Sequence, residues 1–283
     1  MTARYEENPQ RTRSEPSLMP LSPTAPIIGR QQELTLVMSH FEAAKGGHAH
    51  VVLSVGEPGI GKTRLLDEVA LRTAQDGAIV LRGGSSEAEG MPPFLPFLEA
   101  LGQYVQITPL DHLREQVATA PEVLASLFPE LTVRLGDLRV PSASPPEQAR
   151  LRLYEAIGGF LEAIGTAQGL VLMLDDLQWA DSASLDLLCH LARRQSHARL
   201  LLLGAYRESE LAHHPALART VAELSRQRRL TTVTVGPLSA HEIDILASTR
   251  LGAPLSPEAS ALLYGKSEGN PFFAEELLQG WFE

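Results

Sequence analysis

Two hydrophobic periodicities interleave along this chain. Short apolar runs, rich in valine and leucine, are separated by segments whose apolar residues recur every three or four positions. After Pro26-Ile27-Ile28-Gly29-Arg30, residues Leu34, Val37, Met38 and Phe41 fall at i, i+3, i+4 and i+7, one helix face, which Lys45-Gly46-Gly47 closes. Val51–Val55 reads as a strand, Thr63–Ala74 as a helix, and Ala78–Leu81 as a short strand closed by Gly83-Gly84. The stretch Gly169–Leu174 is continuously apolar, as expected of a strand buried on both faces of a parallel sheet. Arg199–Tyr206 is another apolar strand, and Leu230–Val235 reads as the last strand. Ser144-Pro145-Pro146-Glu147 reads as a capping box opening a helix with a stripe of Leu151, Tyr154, Ile157, Leu161 and Ile164. Asp181 suits the cap of a helix bearing Leu185, Leu188 and Leu191, and Pro215–Leu224 reads as a further helix. Strands alternating with helices predict an α/β fold with a mostly parallel, doubly wound sheet.

After Pro237 the strand pattern stops. Ser239-Ala240-His241-Glu242 is a second capping box, Ser256-Pro257-Glu258 starts another helix, and the segment from Phe272 to Phe282 is helical in pattern. The expected organisation is a disordered leader over 1–25, an α/β domain over 26–236 and a small helical subdomain over 237–283. Helical stretches around Phe97–Tyr104 and Leu110–Phe128 are expected inside 85–145, but their packing does not follow from the pattern. The apolar, uncapped end at Trp281-Phe282-Glu283 reads as the hallmark of a longer parent protein.

Composition narrows the function classes. A net charge of −10 over 283 residues disfavours broad, charge-driven binding to nucleic acid. The single cysteine, Cys189, rules out an intramolecular disulfide and fits a reducing compartment; it falls in a leucine-rich helical pattern as a buried structural thiol. No apolar run approaches the ~18 residues of a membrane span, and the N-terminus lacks the apolar core of a secretion signal. A cytoplasmic protein is expected.

The richest chemistry lies in Gly56-Glu57-Pro58-Gly59-Ile60-Gly61-Lys62-Thr63-Arg64, directly after the first strand. It fits G-x-x-x-x-G-K-[ST], the phosphate-binding P-loop, with a strand before it and a helix after it, as the motif requires. Glycines let the backbone curl so that consecutive N–H groups point at phosphate oxygens, and the helix beginning near Lys62 adds the positive end of its dipole. Lys62 offers a mobile charge for the β- and γ-phosphates, and the Thr63 hydroxyl is placed to ligate Mg²⁺. The expected ligands are ATP or ADP with Mg²⁺.

Leu174-Asp175-Asp176 ends the buried strand with two acids, and ligands of open parallel sheets bind beyond the carboxyl ends of the strands. Asp175 is expected to hold Mg²⁺ through water, and Asp176 to orient or deprotonate an attacking water. Arg207 follows the run Leu200–Tyr206, at a strand end from which it can reach a γ-phosphate.

Asp175-Asp176-Leu177-Gln178-Trp179-Ala180-Asp181 resembles the D-D-x-Q-W-A-D signature of signal-transduction ATPases with numerous domains (STAND), especially the large LuxR-type, MalT-like transcription activators; related modules stand beside adenylate cyclases and protein kinases. Ile27-Ile28-Gly29-Arg30 with Glu33 is similar to that family's opening G-R-x-x-E-L, Gly204-Ala205-Tyr206-Arg207 to its sensor strand, and Gly269-Asn270-Pro271-Phe272-Phe273-Ala274-Glu275-Glu276-Leu277 to its lid motif. The resemblance spans about 26–283. It implies a P-loop ATPase with a helical lid, with Ile28, Gly29 and Arg30 beside the adenine and Pro271 pressing the lid onto base or ribose. By its residues alone, Gly269-Asn270-Pro271 reads as a plain interhelical turn, since all three are turn formers. The sequence departs from the family in showing no arginine after that turn, Lys266 being a weak substitute, and in showing no DNA-binding motif.

The function expected is an ATP-binding, slowly hydrolysing regulatory switch. Its alternatives are an oligomeric AAA+ motor, for which Arg193, Arg194 and Arg219 supply candidate fingers, and a non-hydrolysing interaction module. Self-association or a regulatory protein are the partner classes. His40, His48 and His50 lack an evident third metal ligand, His213-His214 reads as solvated, and Arg226, Arg228 and Arg229 suit a helix C-terminus better than nucleic acid.

Overall fold

The structure, a computed structural model, describes residues 26–282 apart from 89, 137, 139–144, 166–167 and 195–197. The expected leader and Ser144 lie outside the described residues. Five strands, β1 (His50–Gly56), β2 (Ile79–Gly84), β3 (Leu170–Asp175), β4 (Leu200–Arg207) and β5 (Leu230–Thr234), form one sheet in the order β2-β3-β4-β1-β5. Every pairing is parallel, so each crossover must carry helix across a face of the sheet.

Side chains of successive strand residues point to opposite faces, and the core divides accordingly. Val51, Leu53, Val55, Leu170, Leu172, Leu174, Leu200 and Leu202 join one buried cluster, while Val52, Val171, Met173, Leu201, Leu203 and Ala205 join the other. The second face is covered by α1 (Gln31–Lys45), through Leu34, Val37 and Phe41, and by α2 (Lys62–Gln75), through Leu65, Leu66 and Val69. The first is covered by α3 (Leu95–Ile107), α7 (Pro146–Ile164), α8 (Ser182–Arg193) and α9 (Pro215–Arg226). β2 runs to Gly84, three residues past its expected end, because Gly84 pairs with Asp175 of β3.

The stretch expected as a single helical region, Leu110–Phe128, is broken. It forms α4 (Leu110–Val117) and α5 (Pro121–Leu127), followed by α6 (Pro129–Leu135). Pro121 and Pro129 stand at first-turn positions, where proline starts a helix but cannot continue one. Leu113, Val117, Leu124, Phe128 and Leu131 bury against α3 and α7, and the Arg134 guanidinium donates to Val105 O and to Thr108 O (2.8 Å), carbonyls at the end of α3. In α7 the stripe is corrected at its start. Tyr154, Ile157, Leu161 and Ile164 are buried, but Leu151 is 55% exposed because the first turns of α7 project beyond the sheet. The N-cap position is Pro145, which has no side-chain donor or acceptor; the expected box rests on Ser144, outside the described residues.

The remaining three helices, α10 (Ala240–Leu251), α11 (Pro257–Ser267) and α12 (Pro271–Phe282), pack around their own core of Leu238, Ile243, Ala247, Leu263, Ala274 and Leu278. Ser239 and Glu242 form the reciprocal capping box expected of them, and Ser256 caps α11. The Asn270-Pro271 bond is trans. No helix among the described residues is long and apolar enough to cross a membrane.

His40 and His50 stack with ring centroids 4.4 Å apart, and His50 Nε2 lies 2.9 Å from Thr231 Oγ1. Burial, with His40 and Arg229 adding positive charge nearby, lowers the His50 imidazole to about 4. A histidine depressed in the folded state binds fewer protons there than in the unfolded chain, so its contribution is complete above about 6.5 and is lost as pH falls toward 4. Urea midpoints measured between pH 4 and 7 are expected to show this decline in the wild type and a shallower one in His50→Gln.

Candidate functional site

The order of strands decides what meets at the carboxyl edge. β1 lies between β4 and β5, and β4 separates it from β3. Gly56, Arg207 and Asp175 are the last residues of β1, β4 and β3, and Gly56 and Arg207 are register partners. The edge opens into a cleft of about 630 Å³, walled on its far side by the C-terminal helices. Its lining includes Ile28, Arg30, Pro58, Gly59, Ile60, Gly61, Lys62, Thr63, Arg64, Asp175, Asp176, Arg207 and Pro271. Of the residues the sequence nominates, Gly29, Gly56 and Glu57 are not part of this lining. A Cβ on Gly56 would come within 2.5 Å of Val235 O, and one on Gly29 would meet the Glu242 carboxylate.

The loop has the curled backbone that its glycines predict. Gly59 (φ 73°) and Gly61 (φ 101°) occupy left-handed conformations that other residues adopt only with strain. Lys62 begins α2 and folds its side chain back over the loop, donating from Nζ to Gly56 O and Glu57 O, each at 2.9 Å. Burial and then Arg207 push this ammonium down, against the pull of Asp175, Asp176 and Glu57. The Thr63 hydroxyl donates to Asp175 Oδ2 at 2.9 Å, tying the start of α2 to the end of β3. Burial pushes the Asp175 carboxyl up, partly offset by the hydrogen bonds from Thr63 and from Asp176 N–H.

Asp176 sits at φ 53°, a left-handed conformation that aspartate tolerates better than most residues. Its Oδ1 accepts from Gln178 Nε2 at 2.6 Å, while Gln178 Oε1 accepts from Arg207 N–H at 3.2 Å. Gln178 is 2% exposed and so links the second acid to the arginine strand from beneath. Sequence reasoning quoted Gln178 within a motif without giving it a task. Trp179 lies to the side, edge-on to His214 at 5.4 Å; His214 is therefore partly packed, and its Nε2 lies 3.5 Å from Glu210 Oε2, rather than fully solvated.

Arg30 makes a contact that the sequence does not foretell. It lines the cleft, yet its guanidinium turns to the phosphate loop, donating from Nη2 to Ile60 O at 3.1 Å, with Glu33 holding Nη1 at 3.4 Å. Pro271 likewise faces the loop: its Cγ lies 3.8 Å from where a Gly61 Cβ would stand. The helical trio contributes more than the sequence foretold. Leu246, Thr249 and Arg250, on one face of α10, line the cleft with Leu238, Phe272 and Glu275. The cation from these helices is thus Arg250, ahead of the Gly-Asn-Pro turn, and Lys266 is not part of the lining. The signal was present as i, i+3, i+4 spacing, but nothing in the spacing told which face of α10 turns inward.

A five-stranded parallel sheet, a glycine-rich loop between β1 and α2, and acids ending a neighbouring strand define a P-loop NTPase. Residues 26–203, more than half of the chain, match the AAA ATPase domain family, and the chain belongs to it. Uncharacterized protein R02095 of Rhizobium meliloti (strain 1021) is 26% identical over 266 residues, covering 90% of this chain and 25% of that protein. The chain therefore spans about a quarter of the length of that curated relative. Among solved structures, a Walker-type ATPase of Pyrococcus abyssi superposes with a TM-score of 0.51 at 14% identity, over 90% of this chain and 69% of its own. A STAND protein with a tetratricopeptide repeat sensor from Pyrococcus horikoshii gives a TM-score of 0.48 at 18% identity, over 87% of this chain and 28% of its own.

Replacing Gln178 with leucine keeps the volume but leaves Asp176 without its donor and Arg207 N–H without its acceptor. Both groups are half-buried and water reaches them in part, so chemical denaturation of Gln178→Leu is expected to show a loss of about 1 kcal/mol, the low end for an unpartnered polar group.

Proposed function

We propose that this chain is an ATP-binding, slowly hydrolysing module whose helical trio (237–283) acts as a lid over the α/β domain (26–236) and switches between ATP- and ADP-bound arrangements. The observation that carries this reading is one cleft in which Lys62, Thr63, Asp175, Asp176 and Arg207 face Pro271, Phe272 and Arg250 of the trio.

The loop amides and Lys62 would bind the β- and γ-phosphates, and the apolar wall of Ile28, Leu238 and Leu246 suits a base. The Thr63 hydroxyl and Asp175 carboxylate are oxygen donors of the kind Mg²⁺ takes, and no cluster of three His, Cys, Asp or Glu exists among the described residues to hold it without phosphates. When bound there, the ion supplies neutralisation of phosphate charge. Asp176, held by Gln178, orients a water and takes its proton as the water oxygen bonds to the γ-phosphorus and the bond to ADP breaks. Arg207, beside Lys62 at the end of the neighbouring strand, stabilises the charge on the γ-phosphoryl oxygens and distinguishes ATP from ADP.

Turning a two-state element from 1:99 to 99:1 needs about 5.5 kcal/mol of differential affinity. A γ-phosphate bonded by two cations and by the loop amides supplies bonds of the required strength. The resemblance of the acidic and Gly-Asn-Pro motifs to large LuxR-type regulators supports a role in signal transduction or transcription control, exercised by a longer protein. Cytoplasmic location and self-association or a regulatory protein partner belong to the same proposal.

Purified chain is expected to bind ATP and ADP and to hydrolyse ATP slowly. Lys62→Ala should abolish tight binding, whereas Asp176→Asn should retain it and lower turnover about 10²–10⁴-fold, the usual range for a positioned acid–base group. Hydrogen exchange of α10–α12 should differ between ATP and ADP. Identical protection in the two states would eliminate the switch.

A further inference from the structure

The backbone carbonyls of the phosphate loop are held by donors from within the motif and from elsewhere in the chain. Gly56 O and Glu57 O accept from Lys62 Nζ, Ile60 O from Arg30 Nη2, and Gly61 O from Leu65 N–H in the first turn of α2. The two carbonyls at the apex are held by the C-terminal helices. Pro58 O accepts from Asn270 Nδ2 at 3.0 Å, and Gly59 O from the Phe272 N–H at 3.3 Å. A carbonyl held on one side of a peptide plane sends the N–H of that plane to the other, so the bond from Asn270 to Pro58 O sets the direction of the Gly59 N–H, while the Ile60 N–H is turned to Glu57 O at 3.3 Å by the loop's own turn.

We infer that Asn270 is a positioning residue for the phosphate loop, so that docking of α12 is a condition for the loop to present its amides to phosphate. The inference rests on the proposed ATP site. Two features favour a built contact over an incidental one. The Asn270 side chain has one orientation that satisfies both its ends: Oδ1 accepts from Phe272 N–H (3.1 Å) and Phe273 N–H (3.4 Å) as the cap of α12, which turns Nδ2 toward Pro58. The approach also depends on Gly59. A Cβ there would stand 2.8 Å from Phe272 Cβ and 3.1 Å from Asn270 Oδ1, so the glycine serves the docking as well as its positive φ.

The two jobs of Asn270 can be separated. Asn270→Ser and Asn270→Asp both retain an oxygen that caps α12; aspartate has no donor for Pro58 O, and the shorter serine side chain has no atom at the position of Nδ2 to reach it. Hydrogen exchange of the full chain without nucleotide is expected to speed up at the amides of Gly59, Ile60 and Gly61 in both variants, with α12 protection retained. Calorimetry should show ATP bound roughly five- to tenfold more weakly, the loss of one hydrogen bond of ordinary strength, with the larger loss in Asn270→Asp, whose charge repels phosphate. Thermal midpoints serve as the structural control. Unchanged loop exchange and unchanged ATP affinity in Asn270→Ser, whether or not the midpoint moves, would overturn the inference. Failure of the wild type itself to bind ATP would refute the proposed function, and the exchange difference without nucleotide would still report whether Asn270 holds the loop.

Discussion

Parallel pairing is the constraint on which the rest of this molecule depends. Strands that all run one way end at one edge, and their connections must return across the faces as helices. The leucine and valine runs of β1, β3 and β4 are buried on both sides for that reason, and the polar residues that follow them emerge together. With β4 inserted between β1 and β3, an arginine stands between a lysine-bearing loop and a pair of acids. Burial is the main reason that Lys62 is lowered and Asp175 raised, with Arg207 adding to the first and Asp176 to the second. Gln178 and Thr63 hold those charged groups with neutral donors, which fixes their positions without adding repulsion.

What was legible in the sequence was whatever rests on local chemistry. The strand–loop–helix around Gly56–Thr63, the acids closing β3, Arg207 closing β4 and the caps at Asp181, Ser239 and Ser256 each depend on residues within a few positions of one another. Asp181 did more than expected. It caps α8 through Ala183 N–H and Ser184 N–H and also accepts from Phe94 N–H at 3.1 Å, fastening the segment before α3 to the segment after the acids. Contacts of that second kind were unreadable, because nothing at Asp181 names a partner 87 residues away. The helices between Leu110 and Leu135 were hidden for a related reason. Prolines at positions 121 and 129 announce breaks, but the burial of Leu124 and Leu131 is decided by α3 and α7.

Arg30 and Pro271 illustrate the limit most sharply. Family likeness implies a base beside both; both line the cleft, and each also meets the phosphate loop. Spacing locates a residue along an element, whereas the direction of a long side chain follows from which acceptors remain unpaired nearby. The carbonyls at Ile60 and Pro58 were those acceptors, and two remote donors answer them.

The bond between Asn270 and Pro58 joins residues 212 positions apart. A chain leaves the ribosome from its N-terminus, so the loop emerges long before the donor that completes it. Contacts of such separation form late, since the ends of a long loop must first be brought together. Pro58 O therefore waits for this donor until the chain has been made through Asn270, so the apex of the loop is completed by a late, long-range contact rather than by its own motif.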